Sequence, residues 1–295
     1  MSARNQTAGL DAAPGDQAPW AARPLWLTLS YYAILAWFTI AMLFPITWLV
    51  LAAFKTNAEI LSASSYIPET WNLKGFSDAL SKVGLLRFLL NSFVVSAGAA
   101  ALVVVVASLA AYPVARFTFR GREAVTVLFS LGLVMPLSAL IVPETLIIRT
   151  IGLYDTRIGL ILLYAGIFLP ISFLVMRAFF LTLPASIEEA AILDGAGYWQ
   201  ILTRIIAPLS GPGISTVGVI IFVFTWNEFL FATLVLSSES KRTAQVAIRF
   251  FQSQFDFNLP GMFAAITIVM LVPIFVFIIL QERVVRGLTA GATKG

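Results

Sequence analysis

Cysteine and histidine are both absent from the 295 residues of the chain. Without thiols the chain forms no disulfide and offers no thiolate nucleophile. Without imidazole it lacks the commonest transition-metal ligand and the usual general base at neutral pH. Charged residues are also scarce, at 12% of the chain against about 25% in soluble domains. The sequence therefore predicts no metal site and no catalytic residues, and most of the chain is expected to lie out of contact with water.

The charge that is present does not indicate a nucleic-acid partner. The 19 Lys and Arg residues exceed the 15 Asp and Glu residues by four, but they are scattered over loops and do not form a basic patch. The densest basic cluster is Arg116, Arg120 and Arg122 in the segment RFTFRGRE. Because short basic loops stay on the cytoplasmic side of a membrane, this segment is predicted to be cytoplasmic.

Apolar residues, in contrast, make up 59% of the chain. Six runs without a charged residue approach or exceed the roughly 20 residues that cross a bilayer. A membrane span must satisfy its own backbone hydrogen bonds, and without period-two alternation this favours helices over a barrel. The runs are 24–54, 88–115, 124–143, 158–176, 205–227 and 257–281. The sequence thus predicts an all-α integral membrane protein with six transmembrane helices.

The predicted organisation has three parts. Residues 1–24 are rich in Ala, Gly, Pro and Gln without periodicity, so we expect a disordered tail. The apolar run that follows is too long for a cleaved signal peptide. Residues 25–286 form the six-helix domain, and residues 287–295 form a C-terminal tail. An even number of spans, with the basic loop in the cytoplasm, places both termini in the cytoplasm.

A polar segment, residues 184–209, separates the fourth and fifth apolar runs. Ser186 and Glu189 have the S-x-x-E spacing of a capping box, in which each side chain pairs with the other's backbone N–H. A helix is therefore predicted to begin at Ser186. Asp194 and Gly195 follow, and Gly readily adopts the left-handed conformation found at many helix ends. We expect the first helix to end there.

A second helix is predicted from Tyr198, with Pro208 and Pro212 closing it before the next span. Its apolar stripe consists of Ile201, Leu202, Ile205 and Ile206. Small residues mark the other surface of the segment: Ala190, Ala191 and Ala196. Two interpretations remain open. The segment is either an amphipathic hairpin lying at the membrane interface or a compact element that docks into a cleft of a partner.

Polar residues inside the apolar runs are candidates for function, because an ionisable group at such depth is costly unless it faces water or a partner. Asn227 and Glu228 lie late in the fifth run beside Trp226, and Asn91 lies early in the second. They either line a water-filled cavity or form hydrogen bonds to a partner helix. Glu144 has the same alternatives, and since it follows Pro143 it could also cap a broken helix.

The 184–209 segment resembles the EAA motif of permease subunits of binding-protein-dependent ABC importers. The motif reads Glu189-Ala190-Ala191, Gly195 and Ile205-x-Ala207-Pro208 here, with Asp194 before the Gly. Ala207 stands where the family usually has Leu. Further stretches similar to carbohydrate-importer permeases run to the end of the chain: FKTNAEI (54–60), NSF (91–93), GLYDTRIGLILLY (152–164), TWNEFLFA (225–232) and QERVVRGLTAGATKG (281–295). The tail is similar to that of the maltose-type second permease.

The resemblance implies one permease subunit that forms half of the translocation pathway for a sugar or oligosaccharide, in a bacterial or archaeal cytoplasmic membrane. It implies a second permease, a dimer of ATPase subunits and an extracytoplasmic binding protein as partners, with ATP and Mg held by the ATPase and not by this chain. The coupling loop that would meet the ATPase comprises Glu189, Ala190, Ala191, Asp194, Gly195, Ile205 and Pro208. Asn91, Trp226, Asn227 and Glu228 become candidate pathway residues.

The resemblance also assigns two further contact regions. Residues expected to reach the ATPase from the tail are Gly287, Leu288, Thr289, Gly291, Lys294 and Gly295. Residues expected to contact the binding protein are Gln252, Ser253, Gln254, Asp256 and Asn258. A second external surface is expected in residues 55–86, with a short amphipathic helix.

Three rival interpretations remain. The same importer architecture could carry glycerol 3-phosphate or another polyol-like solute. A stand-alone secondary transporter would need ion-coupling carboxylates and paired broken helices; Glu144 and Glu228 are the candidates, and no inverted repeat is evident. An intramembrane enzyme is disfavoured by the absence of His, Cys and paired carboxylates. The chain is not itself the ATPase, because it contains no G-x-x-x-x-G-K-[ST] motif.

Overall fold

The computed structural model describes residues 25–63, 65–251 and 257–292. In these ranges the chain forms α-helices joined by short π and 3-10 turns. They are α1 Leu25–Ala52, α2 Asn57–Ser62, α3 Lys74–Ser77, α4 Leu85–Arg116, α5 Arg122–Gly132, α6 Leu137–Thr150, α7 Arg157–Thr182, α8 Ser186–Leu193, α9 Tyr198–Ile201, α10 Ala207–Leu209, α11 Gly211–Asn227, α12 Leu230–Val235, α13 Ala244–Ala247 and α14 Leu259–Ala292. The predicted tail of residues 1–24 lies outside the described residues.

Four helices of the described chain are long and apolar enough to cross a membrane without interruption. They are α1, α4, α7 and the Leu259–Glu282 part of α14. Two bent pairs, α5 with α6 and the Tyr198–Leu209 stretch with α11, raise the total to six if each pair is one span. The all-α membrane fold predicted from the charge-free runs is thus confirmed, with four to six spans by length and composition.

The third and fifth runs were each predicted to form one transmembrane helix, and each is bent in the structure. The third run divides into α5 and α6, which meet at 101°. Pro136 precedes α6 in an extended conformation, and Pro also disfavours helix in the residue before it. The fifth run bends by 75° between Leu209 and Gly211, so its first residues belong to the preceding helix. Neither bend is visible in the hydropathy of the sequence, because both lie inside runs that carry no charged residue.

The described chain divides by its contacts into two compact units. The first ends at Trp48 and contains most of α1, whose 28 residues include no charge. The second begins at Leu49, and in it α4 packs against α7 and α11, while α11 packs against α14. The core of the second unit holds fully buried aromatic side chains: Phe88, Phe173, Phe180 and Trp226.

Small residues allow α4 to approach its neighbours closely. Between the larger buried side chains of Phe88 and Tyr112, its buried residues are mostly small: Ser92, Val95, Ser96, Ala99, Ala100, Val103, Ala107 and Ala111. At Gly98 a Cβ atom would lie 2.8 Å from Ile161 Cδ1 of α7. Since lipid tails are as apolar as side chains, close van der Waals packing of this kind is what holds membrane helices together.

Candidate functional site

The polar segment between α7 and α11 forms a helix, a glycine turn and a second helix, as the sequence predicted. Gly195 has φ of +82°, and its N–H donates to Ile192 O at 2.9 Å. Nothing lies within 4 Å of the position a Cβ would take there, so the turn requires Gly for its backbone conformation and not for space. Ile201 and Ile206 are fully buried, which confirms the predicted apolar stripe.

The capping box predicted at Ser186 is not formed. The residue before α8 is Ala185, which is already helical at φ −65° and ψ −29°, and the N–H groups of Glu188 and Glu189 donate to its carbonyl at 3.0 and 3.1 Å. Ser186 therefore lies inside the first turn, where its hydroxyl cannot act as an N-cap. The Glu189 side chain is consequently free of the structural role that the sequence suggested for it.

The second helix ends between Pro208 and Pro212, the two prolines that were predicted to close it. The helix continues from α9 through a π turn at Leu202–Ile206 and reaches Leu209 in α10. The break falls at Ser210, whose N–H donates to Ile206 O at 2.8 Å. The chain then restarts as α11. Ala207, which stands where the importer family usually has Leu, is half-buried in this stretch.

A buried ion pair fixes α8 to the end of α4. Arg116 Nε lies 2.6 Å from Glu188 Oε1, with each side chain only 11% exposed. The two atoms are in charge contact, but the Arg116 N–H does not point along the line needed for a hydrogen bond. Tyr112 OH donates to Glu188 Oε2 at 2.9 Å, and Arg116 also donates to Leu183 O at 3.0 Å. Sequence reasoning missed Glu188, because the motif draws attention to the glutamate beside it.

The residues of the expected coupling loop divide into an outward and an inward group. Glu189, Ala190, Asp194, Gly195 and Pro208 are exposed, whereas Ile205 is half-buried. Ala191 is buried at 8% exposure within this chain. The expectation that Ala191 offers a small surface to a partner is therefore wrong, because that side chain already packs against this chain's own core.

Two of the four candidate pathway residues face the interior of this chain. Asn91 is buried and its Nδ2 donates to the backbone carbonyls of Ser240 and Arg242 at 3.0 and 2.9 Å. Trp226 is 1% exposed, and its Nε1 donates to Val269 O at 3.2 Å. Both side chains hold segments of this chain together, and a role in lining the pathway stays a prediction for them.

The other two candidates, Asn227 and Glu228, keep some access to the surface. Asn227 is exposed and accepts a hydrogen bond from Gln245 at 3.3 Å. Glu228 is half-buried; it accepts from Tyr164 OH at 2.6 Å and from the backbone N–H groups of Phe231 and Ala232 at 2.9 and 3.1 Å. Glu228 thus occupies the N-terminus of α12 and pairs within the chain. Its carboxylate is already satisfied without a ligand.

Glu144 does not cap a broken helix. Pro143 lies inside α6, which continues to Thr150, so Glu144 is in mid-helix. Its Oε2 is buried and accepts no hydrogen bond from the residues that the structure describes. It is a carboxylate oxygen without a partner in the described membrane region, where the hydroxyls of Ser96 and Ser108 in α4 also lack one.

The region expected to contact a binding protein is only partly described. Gln252, Ser253, Gln254 and Asp256 lie outside the described residues. Asn258 is described and faces inward: its Nδ2 donates to Asp78 Oδ2 at 3.0 Å, and its Oδ1 accepts from Gly261 N at 3.0 Å. Asn258 therefore fastens the start of α14 to the 57–82 region.

Residues 55–86 form more than the one short helix that was expected. They contain α2, α3 and a π turn, Asp78–Lys82. A complete capping box opens α2: Thr56 Oγ1 accepts from Glu59 N, and Glu59 accepts from Thr56 N at 2.7 Å. The backbone N–H groups of Thr56 and Thr70 donate to the Glu59 carboxylate and favour its charged form, so they hold the pKa of Glu59 below its usual value despite the opposing effect of burial.

The C-terminal tail is continuous with the last helix over the described residues. Gly287, Leu288, Thr289 and Gly291 lie within α14, which extends to Ala292. Lys294 and Gly295 lie outside the described residues. The backbone of residues 287–292 is thus helical, although the sequence had suggested a separate segment.

A second polar cluster centres on Asp155 in the GLYDTRIGL stretch. Asp155 has φ of +56°, and its Oδ1 accepts from Ser238 N at 2.9 Å while its Oδ2 lies 2.9 Å from Lys241 Nζ. Burial alone would raise the pKa of Asp155, but the hydrogen bonds from Ser238 and Lys241 outweigh it and hold that pKa well below its usual range. The cluster joins the α6–α7 loop to the 236–243 loop.

Replacing Asp155 by Asn should lower the stability of the purified chain by about 1 kcal/mol, since the pair is partly exposed and screened. The melting temperature at pH 7 should fall by about 3 °C. Because the folded pKa is lowered, this stabilisation is complete above the unfolded pKa and is lost as pH falls. The difference in melting temperature between wild type and Asp155→Asn should decrease below about pH 4. A difference in melting temperature that stays constant from pH 7 to pH 3 would contradict the stabilising role of the charged Asp155 carboxylate.

The fold and the site together define a polytopic helical membrane protein with a helix–turn–helix between two spans. Residues 103–290 match the model of the family described as the binding-protein-dependent transport system inner membrane component, and the chain belongs to this family. The resemblance seen in the sequence is thereby confirmed. The family is one of transport permeases and not of known enzymes.

Curated relatives cover nearly the whole chain. The sulfoquinovosyl glycerol transport system permease protein SmoH of Agrobacterium fabrum is 36% identical over 255 residues, which are 86% of this chain and 89% of SmoH. The trehalose transport system permease protein SugB of Mycobacterium tuberculosis is 34% identical over 269 residues, 90% of this chain and 98% of SugB.

A solved structure has a similar fold. It is a bacterial ABC transporter involved in the import of the acidic polysaccharide alginate, with a TM-score of 0.77 at 21% identity. The match covers 87% of this chain and 95% of that chain. At this identity the match shows the fold alone.

Proposed function

We propose that this chain is a permease subunit of an ABC importer and forms half of the pathway for a sugar or oligosaccharide. The family match and the transport systems of the relatives support this function, and the many apolar spans are consistent with it. A second permease completes the pathway, and an extracytoplasmic binding protein delivers the substrate. ATP and Mg are held by a separate pair of ATPase subunits. Both termini and the α8–α9 segment face the cytoplasm.

The observation that carries this proposal is the arrangement of α8 and α9. The side of α8 that bears Glu188 and Ala191 is buried against this chain, while Glu189, Ala190 and Gly195 are exposed on the protruding side. Exposed small residues allow a second backbone to come close, and the Glu189 carboxylate complements a basic residue. We infer that α8 and α9 seat in a cleft of the ATPase, so that closure of the ATPase moves the spans.

Charge reversal at Glu189 tests this arrangement. Glu189→Lys should reduce recovery of the ATPase with the tagged chain by about tenfold, as expected when a contact worth about 1.4 kcal/mol is lost. Glu239→Lys, the same charge reversal at an exposed glutamate of the 236–243 loop outside the α8–α9 segment, is the matched control and should leave recovery unchanged. Unchanged association and transport in Glu189→Lys would overturn the docking role. Transport by the lone chain without ATP would overturn the proposed function.

A further inference from the structure

The carboxylate of Glu144 lies in a pocket between α6 and α7. The pocket has a volume of about 260 Å³, and apart from Glu144 its walls are Ile and Leu side chains and Gly166. At its rim, Ile147 and Ile151 of α6 are 56% and 54% exposed, and Leu162 of α7 is 41% exposed. One buried carboxylate oxygen thus lies in a pocket whose exposed side chains, from both helices, are apolar.

Neither lipid nor water suits this arrangement. A carboxylate that faces acyl chains is costly, and such residues in membrane helices almost always face the protein interior, a partner or a water-filled cavity. A water-filled cavity would be lined by further polar groups, whereas this pocket offers one carboxylate within apolar walls. A polar centre inside an apolar rim is instead the arrangement of a protein–protein contact, in which the rim excludes solvent from the central pair.

We propose that the Glu144 pocket is a socket for a basic side chain of a second membrane subunit. The occupant has an apolar stem that packs against Ile147, Ile151 and Leu162, and a cationic end that donates to Glu144. Lys and Arg have this form, since their methylene stems cover apolar surface while their ends carry the charge. The open space beside Gly166, where nothing lies within 4 Å of a Cβ position, leaves room for such a stem. This inference rests on the proposed function, in which a second permease completes the pathway.

Photo-crosslinking locates the occupant. The chain contains no cysteine, so Ile147→Cys carries a single thiol for a benzophenone maleimide in the importer assembled with the membrane subunit encoded beside it. The expected product is a covalent adduct with the second permease. Leu146→Cys, at 55% exposure on the same helix but outside the pocket lining, is the matched control and should give less adduct. Equal yields, or adducts with lipid only, would overturn the socket.

Charge variants of Glu144 test the chemistry of the socket. Glu144→Lys should reduce recovery of the second permease by about tenfold. Glu144→Gln should reduce it by roughly threefold, which corresponds to the ~0.6 kcal/mol that a hydrogen bond within a membrane is worth on average. Reversing the charge of the cross-linked basic residue should restore assembly with Glu144→Lys. This rescue separates a broken contact from a misfolded chain.

Two results would refute this inference without touching the proposed function. Rapid labelling of Glu144→Cys by a charged thiol reagent in the assembled importer would show a water-filled pathway at this point. Undiminished recovery of the second permease with Glu144→Lys would show that the carboxylate meets no cation. If wild type itself recovers no second permease and no ATPase, the proposed function fails first.

Discussion

Replacing Glu188 by Gln should lower transport by the assembled importer roughly tenfold or more, while the ATPase remains bound. Loss of one charge from a buried pair costs about 3 kcal/mol, which exceeds the 1.4 kcal/mol that makes a tenfold change in an equilibrium. Arg116 and Tyr112 would then hold α8 less firmly against α4. The exposed side of α8 keeps its residues, so the ATPase still docks and hydrolyses ATP. The measurement is substrate taken up per ATP hydrolysed in proteoliposomes.

The neighbouring glutamate provides the internal control. Glu189→Gln should weaken ATPase association and leave the melting temperature of the isolated chain unchanged, because Glu189 is exposed. Glu188→Gln should lower the melting temperature of the isolated chain and leave ATPase association unchanged. The double variant Arg116→Glu with Glu188→Arg restores the pair and should recover part of the transport lost in either single variant. Equal transport per ATP in wild type and Glu188→Gln would disprove the mechanical role of the pair.

Replacing Gly159 by Ala should lower the melting temperature by about 10 °C. A Cβ at this position would lie 2.2 Å from Leu153 O and 3.1 Å from Thr156 Oγ1. Both neighbours are fixed, since Thr156 caps α7 by accepting from Gly159 N at 2.9 Å and donates to Leu153 O at 2.6 Å. Overpacking against backbone costs about 3 kcal/mol, and each kcal/mol shifts the melting temperature by about 2–4 °C.

Gly166, seven residues further along α7, is the matched control for that measurement. Nothing lies within 4 Å of a Cβ placed on it, and Ala favours helix over Gly by about 1 kcal/mol. Gly166→Ala should therefore melt at the wild-type temperature or slightly above it. If Gly159→Ala and Gly166→Ala have the same melting temperature, the close approach at Gly159 has no structural importance.

The apolar runs predicted the long helices well because span length is a local property. The second run, 88–115, corresponds to α4, and the last, 257–281, to the beginning of α14. Bends were missed for the same reason. The stretch before Pro136 is as apolar as the helices on either side of it, so composition alone could not register the 101° angle between α5 and α6.

The capping box illustrates what a motif leaves undetermined. The S-x-x-E pattern at Ser186 specifies side chains, but a cap also requires extended backbone at the first position. Thr56 has that backbone, with φ of −87° and ψ of 163°, and forms the box with Glu59. Ala185, before Ser186, is already helical. The choice between the two sites is made by how the preceding chain enters the helix, which residue identity does not encode.

The candidate site was predictable in outline and not in its contacts. The EAA spacing predicted the Gly195 turn, which depends on one residue's backbone freedom. The hydrogen-bond partners of Asn91 and Trp226 are carbonyls at Ser240 and Val269, far along the chain, and the residues near Asn91 and Trp226 in the sequence do not indicate them. A polar side chain in an apolar run must have a partner, but a single sequence does not say whether that partner is a ligand, another subunit or a distant part of the same chain.

The 32 residues of α4 are fastened at both ends. Asn91 and Ser92 hold the 240–244 segment at one end, and Arg116 holds Glu188 at the other. Asn91 and Arg116 are 25 positions apart, which corresponds to about 37 Å along the helix. Thermodynamic linkage then imposes a reciprocity on the two ends. If a protein that binds at the 240–244 end shifts α4 and so tightens ATPase binding by some factor, ATPase binding must tighten that protein's own attachment by the same factor.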